Sequence, residues 1–183
     1  FCVCNTLSTP YLCNYTPLSV LKQRPEAFIL GIIATNVAVF LAWKLPNRTI
    51  QNFLNKYFLL FKMRLSLNWA LLGAAFSHQN LGHIFVNMFV LHSFGGSLCA
   101  AIGVAHFSMM YLNSAVIASF ISLVLPVILR LILAVGASGA SGAIFSVFGV
   151  FSYLFPKAGI ALLFIPIPGG AWVAFLGGAL YNV

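Results

Sequence analysis

Apolar residues in this chain come in long unbroken runs rather than at every third or fourth position. That is the pattern of helices surrounded by lipid, not of helices with one watery face. The first run covers about residues 28–43 and is closed by Lys44 and Pro46. Others cover about 83–104, 107–129, 141–155 and 159–182, the last broken near its start by Pro166-Ile167-Pro168-Gly169-Gly170. A lipid-crossing helix needs about 20 apolar residues, so the pattern predicts about five spans. Residues 45–82 differ: Arg48, Lys56, Lys62 and Arg64 are mixed with Tyr57-Phe58-Leu59-Leu60-Phe61 and Trp69-Ala70-Leu71-Leu72. Such a stretch is too polar to cross and too apolar to float, so short segments in the interface plane are expected. A short span over 66–76 is the alternative. Trp43 and Lys44 read as an interfacial anchor. The expected fold is all-α, a polytopic membrane helix bundle, with residues 1–27 as a flank and 28–183 as the membrane core.

Composition narrows the class. Hydrophobic residues make up 62% of the 183 and charged residues 5%. A soluble domain of this size has too little polar cover for that much apolar surface. The formal charge of +8 sets nine Lys/Arg against one acid, Glu26. These bases lie between apolar runs, which makes the lipid bilayer the partner and gives no surface for nucleic acid. Lys44, Arg48, Lys56, Lys62, Arg64 and Arg130 fall on one side of the alternating loops, against Lys22, Arg24 and Lys157 on the other. By the positive-inside rule, the long loop and the end bearing Ser141 face the cytosol or matrix. Cys2, Cys4, Cys13 and Cys99 lack the partners of a zinc site. The chain begins at Phe1 and stops at Val183 in an apolar stretch, and it reads as a fragment.

Two constellations carry chemistry. In Gly136-Ala137-Ser138-Gly139-Ala140-Ser141-Gly142-Ala143, small neighbours give a serine hydroxyl the room a nucleophile needs. A helix starting at Ser141 would point free N–H groups at the same place. The same octapeptide also suits close packing of membrane helices. About fifty residues upstream, His83 and Asn87 stand at i, i+4 on one helix face, preceded by His78. Neutral His and Asn donate hydrogen bonds without bringing charge into low dielectric, as an oxyanion requires. Structural hydrogen bonding between helices is the other reading of these polar groups. A solute carrier using Asn113 and the serines of the third span lacks repeated halves and intramembrane acids.

Together, His78-x4-His83-x3-Asn87 and Gly139-Ala140-Ser141-Gly142 resemble the rhomboid family of intramembrane serine proteases, over about residues 28–183. The stretches Asn87-Met88-Phe89-Val90-Leu91-His92-Ser93-Phe94-Gly95 and Gly139-Ala140-Ser141-Gly142-Ala143-Ile144 are most similar to the mitochondrial, presenilins-associated branch. The resemblance implies Ser141 as nucleophile, His83 and Asn87 at the oxyanion site, and His78 as a brace. Gly139 and Gly142 shape the turn. It also implies transmembrane protein substrates, a mitochondrial inner-membrane location, and chemistry without metal or cofactor. The family's base is a histidine in a His-Leu-Gly-Gly-Ala-Leu stretch, whereas this chain has Phe175-Leu176-Gly177-Gly178-Ala179-Leu180 and no histidine after His106. Either Phe175 replaces the base in a silent, client-binding relative, or the base lies on a helix beyond this chain. The second reading is preferred, and it makes the fragment alone inactive.

Overall fold

The structure is a computed structural model that describes residues 24–60, 68–78, 80–128, 141–162 and 165–181. Helix α1 (Pro25–Lys44) starts with Pro25 and Glu26 in its first turn and ends with Lys44 in its last, as backbone and dipole favour. Helix α2 (Arg48–Tyr57) is capped by the Asn47 side chain, which accepts from the Thr49 and Ile50 amides at 2.9 and 3.3 Å. Helix α3 (Asn68–Gly73) runs into a 3-10 turn at Ala74–Phe76. Helix α4 (Leu81–Ile102) is capped by Asn80, which accepts from Gly82 N at 2.8 Å. It stops at Gly103, whose φ of 85° suits glycine. Helices α5 (Val104–Ile128) and α6 (Ser141–Leu154) follow. Strands β1 (Ile160–Leu162) and β2 (Ile165–Ile167) pair antiparallel, Ile160 opposite Ile167, before α7 (Gly170–Tyr181).

Three of these helices, α1, α4 and α5, are long and apolar enough to cross a membrane. About five spans are expected from the sequence; among the described residues three helices meet this length. Helix α6 is apolar but has only 14 residues, about 21 Å of rise against a hydrocarbon core of about 30 Å. Helix α7 has 12. The helical bundle expected from the sequence is present, with the β1–β2 hairpin as an unforeseen addition. The alternative span over 66–76 is replaced by the six-residue α3 and its 3-10 turn. After β2, Gly169 and Gly170 have φ of 96° and 79°. A side chain on Gly170 would also lie 2.6 Å from the Pro156 carbonyl oxygen.

The core joins α1, α4, α5 and α6 through Ile29, Leu91, Phe107, Tyr111 and Val147, all nearly or fully buried. Leu41, Phe85, Met109 and Ile117 point outward and are more than half exposed, as lipid-facing side chains should be. Helix α1 runs antiparallel to α4: Ile29 sits beside Gly95, while at the other end Trp43 Nε1 donates to Ser77 Oγ at 2.8 Å. Trp43 is half-buried, and its indole N–H finds a buried acceptor within the bundle.

Candidate intramembrane active site

His78, His83 and Asn87 come together at the start of α4. Asn87 Nδ2 donates to His78 Nε2 at 2.9 Å, with both residues buried. The His78 and His83 rings meet edge to face with centroids 5.4 Å apart. His83 itself is exposed. The bond assigns the His78 proton to Nδ1, which has no well-formed hydrogen bond among the described residues. Burial, then the neighbouring His83, lower the His78 pKa from 6.5 to about 4, with the Phe76 backbone pulling the other way. The imidazole is neutral near pH 7.

Ser141 opens α6 and is exposed. Its position relative to Asn87 follows from register. Helices α4 and α6 run the same way, since each packs antiparallel to α5 and the 3-10 turn before α4 also touches α6. Phe94 stacks on Phe148 at 4.9 Å between centroids and packs on Phe151 at the same separation. Counting back along both helices puts Ser141 level with residues 84–87 of α4. Ser138 and Gly139 lie outside the described residues. A methyl group on Gly142 would collide with that of Ala118, so the missing side chain at 142 lets α6 approach α5 closely.

Helix α6 packs antiparallel to α7. Phe175 covers Gly149, with its ring 3.1 Å from where a β-carbon would stand, and Gly178 faces Phe145. Phe145 also packs on Phe175 at 4.9 Å. Phe175 is therefore level with Gly149, eight residues and about 12 Å down the helix from Ser141. It does not stand where a base for Ser141 would stand.

The remaining histidines are also remote. His92 opens into a cavity of about 380 Å³ against Glu26 on the α1 side of α4. The His106 ring pairs with the Ile102 carbonyl at 3.1 Å, at the far end of the bundle. Ser108, Ser122 and Ser152 donate to carbonyls of their own helices at 2.7–2.8 Å. Sequence reasoning paired Asn87 with His83 by helical spacing and missed His78 as its hydrogen-bond partner. The signal was the flanking Ser77-His78 itself, a polar pair placed just before an apolar helix.

Residues 66–183 match the Rhomboid domain. This chain belongs to the rhomboid family. It is 43% identical over 175 residues to Rhomboid protein 1, mitochondrial, of Saccharomyces cerevisiae, an alignment covering 95% of this chain and 50% of that protein. It is 38% identical over 96 residues to the human Presenilin-associated rhomboid-like protein, mitochondrial, covering 52% of this chain and 25% of that one. With RHOMBOID-like protein 12, mitochondrial, of Arabidopsis thaliana, identity is 32% over 88 residues, 48% of this chain and 26% of the relative. The similarity to the mitochondrial branch read from the sequence is thus borne out. The chain spans about half the length of the yeast relative and about a quarter of the human one.

Proposed function

We propose that this chain carries the nucleophile and oxyanion half of an intramembrane serine endopeptidase acting on transmembrane proteins. Ser141 attacks the scissile carbonyl. The Asn87 amide and His83 donate to the oxygen that becomes negative, together with backbone N–H groups at the start of α6. His78 holds the Asn87 carboxamide in one orientation and is a positioning residue. The observation that supports this reading most is the shared level of Ser141 and Asn87, set by the Phe94 contacts to Phe148 and Phe151. The short α6 adds to it. If the Leu154 end of α6 meets the interface, Ser141 starts about 9 Å inside the opposite face (about 30 Å of hydrocarbon less 21 Å of helix). That depth suits cleavage near a membrane surface.

The base is a histidine from a segment outside the present sequence, since His92 and His106 are far from Ser141. A serine without its base retains only the residual catalysis of binding and oxyanion stabilisation. The reading of Phe175 as a substituted base loses support from its place two turns below Ser141. The names of the relatives support a mitochondrial membrane location, with the inner membrane as the proposal.

Fluorophosphonate labelling tests the assignment. The natural full-length protein should label at Ser141 and lose labelling in Ser141→Ala, while the present chain labels poorly. Brisk labelling of the present chain would show that a base is already inside it.

A further inference from the structure

A second recess lies at the same end of the molecule but on the outer side of α1. The groove, about 450 Å³, is bounded by Thr35 and Val39 of α1, Phe53 and Tyr57 of α2, Trp69 of α3, and Phe76. Its walls are almost wholly apolar. In a membrane an apolar groove is filled by acyl chains or by protein, and three features select the first. From Lys44, where α1 ends, to Thr35 is nine residues, about 13 Å of helix. That is close to the thickness of one leaflet, about 15 Å, so the groove has the reach of a single chain.

Its upper rim is cationic. Lys56 Nζ stands 5.0 Å from the centre of the Tyr57 ring, and Tyr57 lines the groove. Arg48 is exposed one helix-length earlier on α2. The one acid of the chain, Glu26, is at the opposite end of α1. Finally, α2 is amphipathic: Leu54 is buried, while Arg48, Asn52, Asn55 and Lys56 are exposed. Such a helix lies flat in the headgroup layer, with its basic side chains at phosphate depth.

We propose that this groove is a binding site for an anionic phospholipid, with one acyl chain against Phe53, Tyr57 and Trp69 and the headgroup phosphate held by Lys56. The site does not rest on the proteolytic reading. It does adjoin that site in the chain, because Phe76 forms its wall and Ser77 and His78 follow directly.

The test uses the full-length protein in nanodiscs of phosphatidylcholine carrying a minor fraction of brominated lipid, either phosphatidylglycerol or phosphatidylcholine. Trp69 emission is isolated by difference from Trp69→Phe. Brominated phosphatidylglycerol should quench Trp69 more strongly than brominated phosphatidylcholine at equal fraction. Lys56→Gln should reduce that preference about fivefold, the effect of about 1 kcal/mol per basic residue near an anionic surface, whereas Arg48→Gln, a helix-length away on α2, should leave most of it. Both positions are exposed, so neither substitution threatens folding. Thr35→Phe, which fills the deep end, should lower quenching by both lipids. Equal quenching by the two lipids means non-selective annular lipid and overturns the proposal. Shielding of Trp69 from both means that a protein segment occupies the groove, and it overturns the proposal as well.

Discussion

Asn87 donates from its carboxamide to His78 Nε2 across nine residues of sequence, and both side chains are buried. The bond ties the segment before α4 to the second turn of that helix. It also fixes which way the carboxamide points, and the oxyanion role proposed for Asn87 requires a donor set before the reaction begins. His78→Ala leaves a buried amide without its partner and should cost about 1–3 kcal/mol of stability. In the full-length protein it should reduce kcat more than KM, and His78→Gln should restore part of the loss. An equal effect on kcat of His78→Ala and of an unrelated substitution matched in stability would reduce His78 to a packing residue.

The same imidazole makes stability depend on pH. Its pKa falls from 6.5 in the open chain to about 4 in the fold, burial being the main cause. Between these values the unfolded state binds more protons. Stability from this group is therefore complete above about pH 6.5 and is lost as pH falls through 4. The thermal unfolding midpoint in detergent should decline over that window, and His78→Gln should flatten the decline.

Gly142 lets α6 pack closely against Ala118 of α5. Gly142→Ala should destabilise by about 1–3 kcal/mol through overpacking. Ala118→Gly in the same chain should recover most of that, because it removes the colliding methyl. A double-mutant cycle on unfolding midpoints measures the coupling; additive effects would mean that the two positions do not meet.

Phe175→His offers a direct test of register. The new imidazole would lie level with Gly149, two turns from Ser141. It should not raise the fluorophosphonate reactivity of this chain above background. A gain that depended on Ser141 would show that α7, not a further helix, supplies the base.

Much of the bundle could be read from residue order. The runs that became α1, α4 and α5 were visible because nothing but hydrocarbon tolerates them, and their bounds fell within three residues of expectation at their starts. The α6 run was bounded by Ser141 and Pro156, close to the described helix Ser141–Leu154. The hairpin was hidden because Pro166 argues against a strand, although an edge position in a two-stranded ribbon accepts it. Periodicity could bring His83 and Asn87 to one face, yet His78 lies outside the helix, where no period applies. The role of Gly142 toward α5 was unreadable as well, since it depends on Ala118, a residue of unremarkable type in another run.

Because α4 and α6 point the same way, their peptide dipoles add at the end bearing Ser141, each equivalent to about half a positive charge. The Asn80 side chain accepts from the amides of Gly82 and His83, which offsets part of the α4 contribution. The face is thus electropositive before any side chain is counted. On the proposed proteolytic reading, a substrate helix ending in Asp or Glu should be received there more readily than one ending in Lys or Arg.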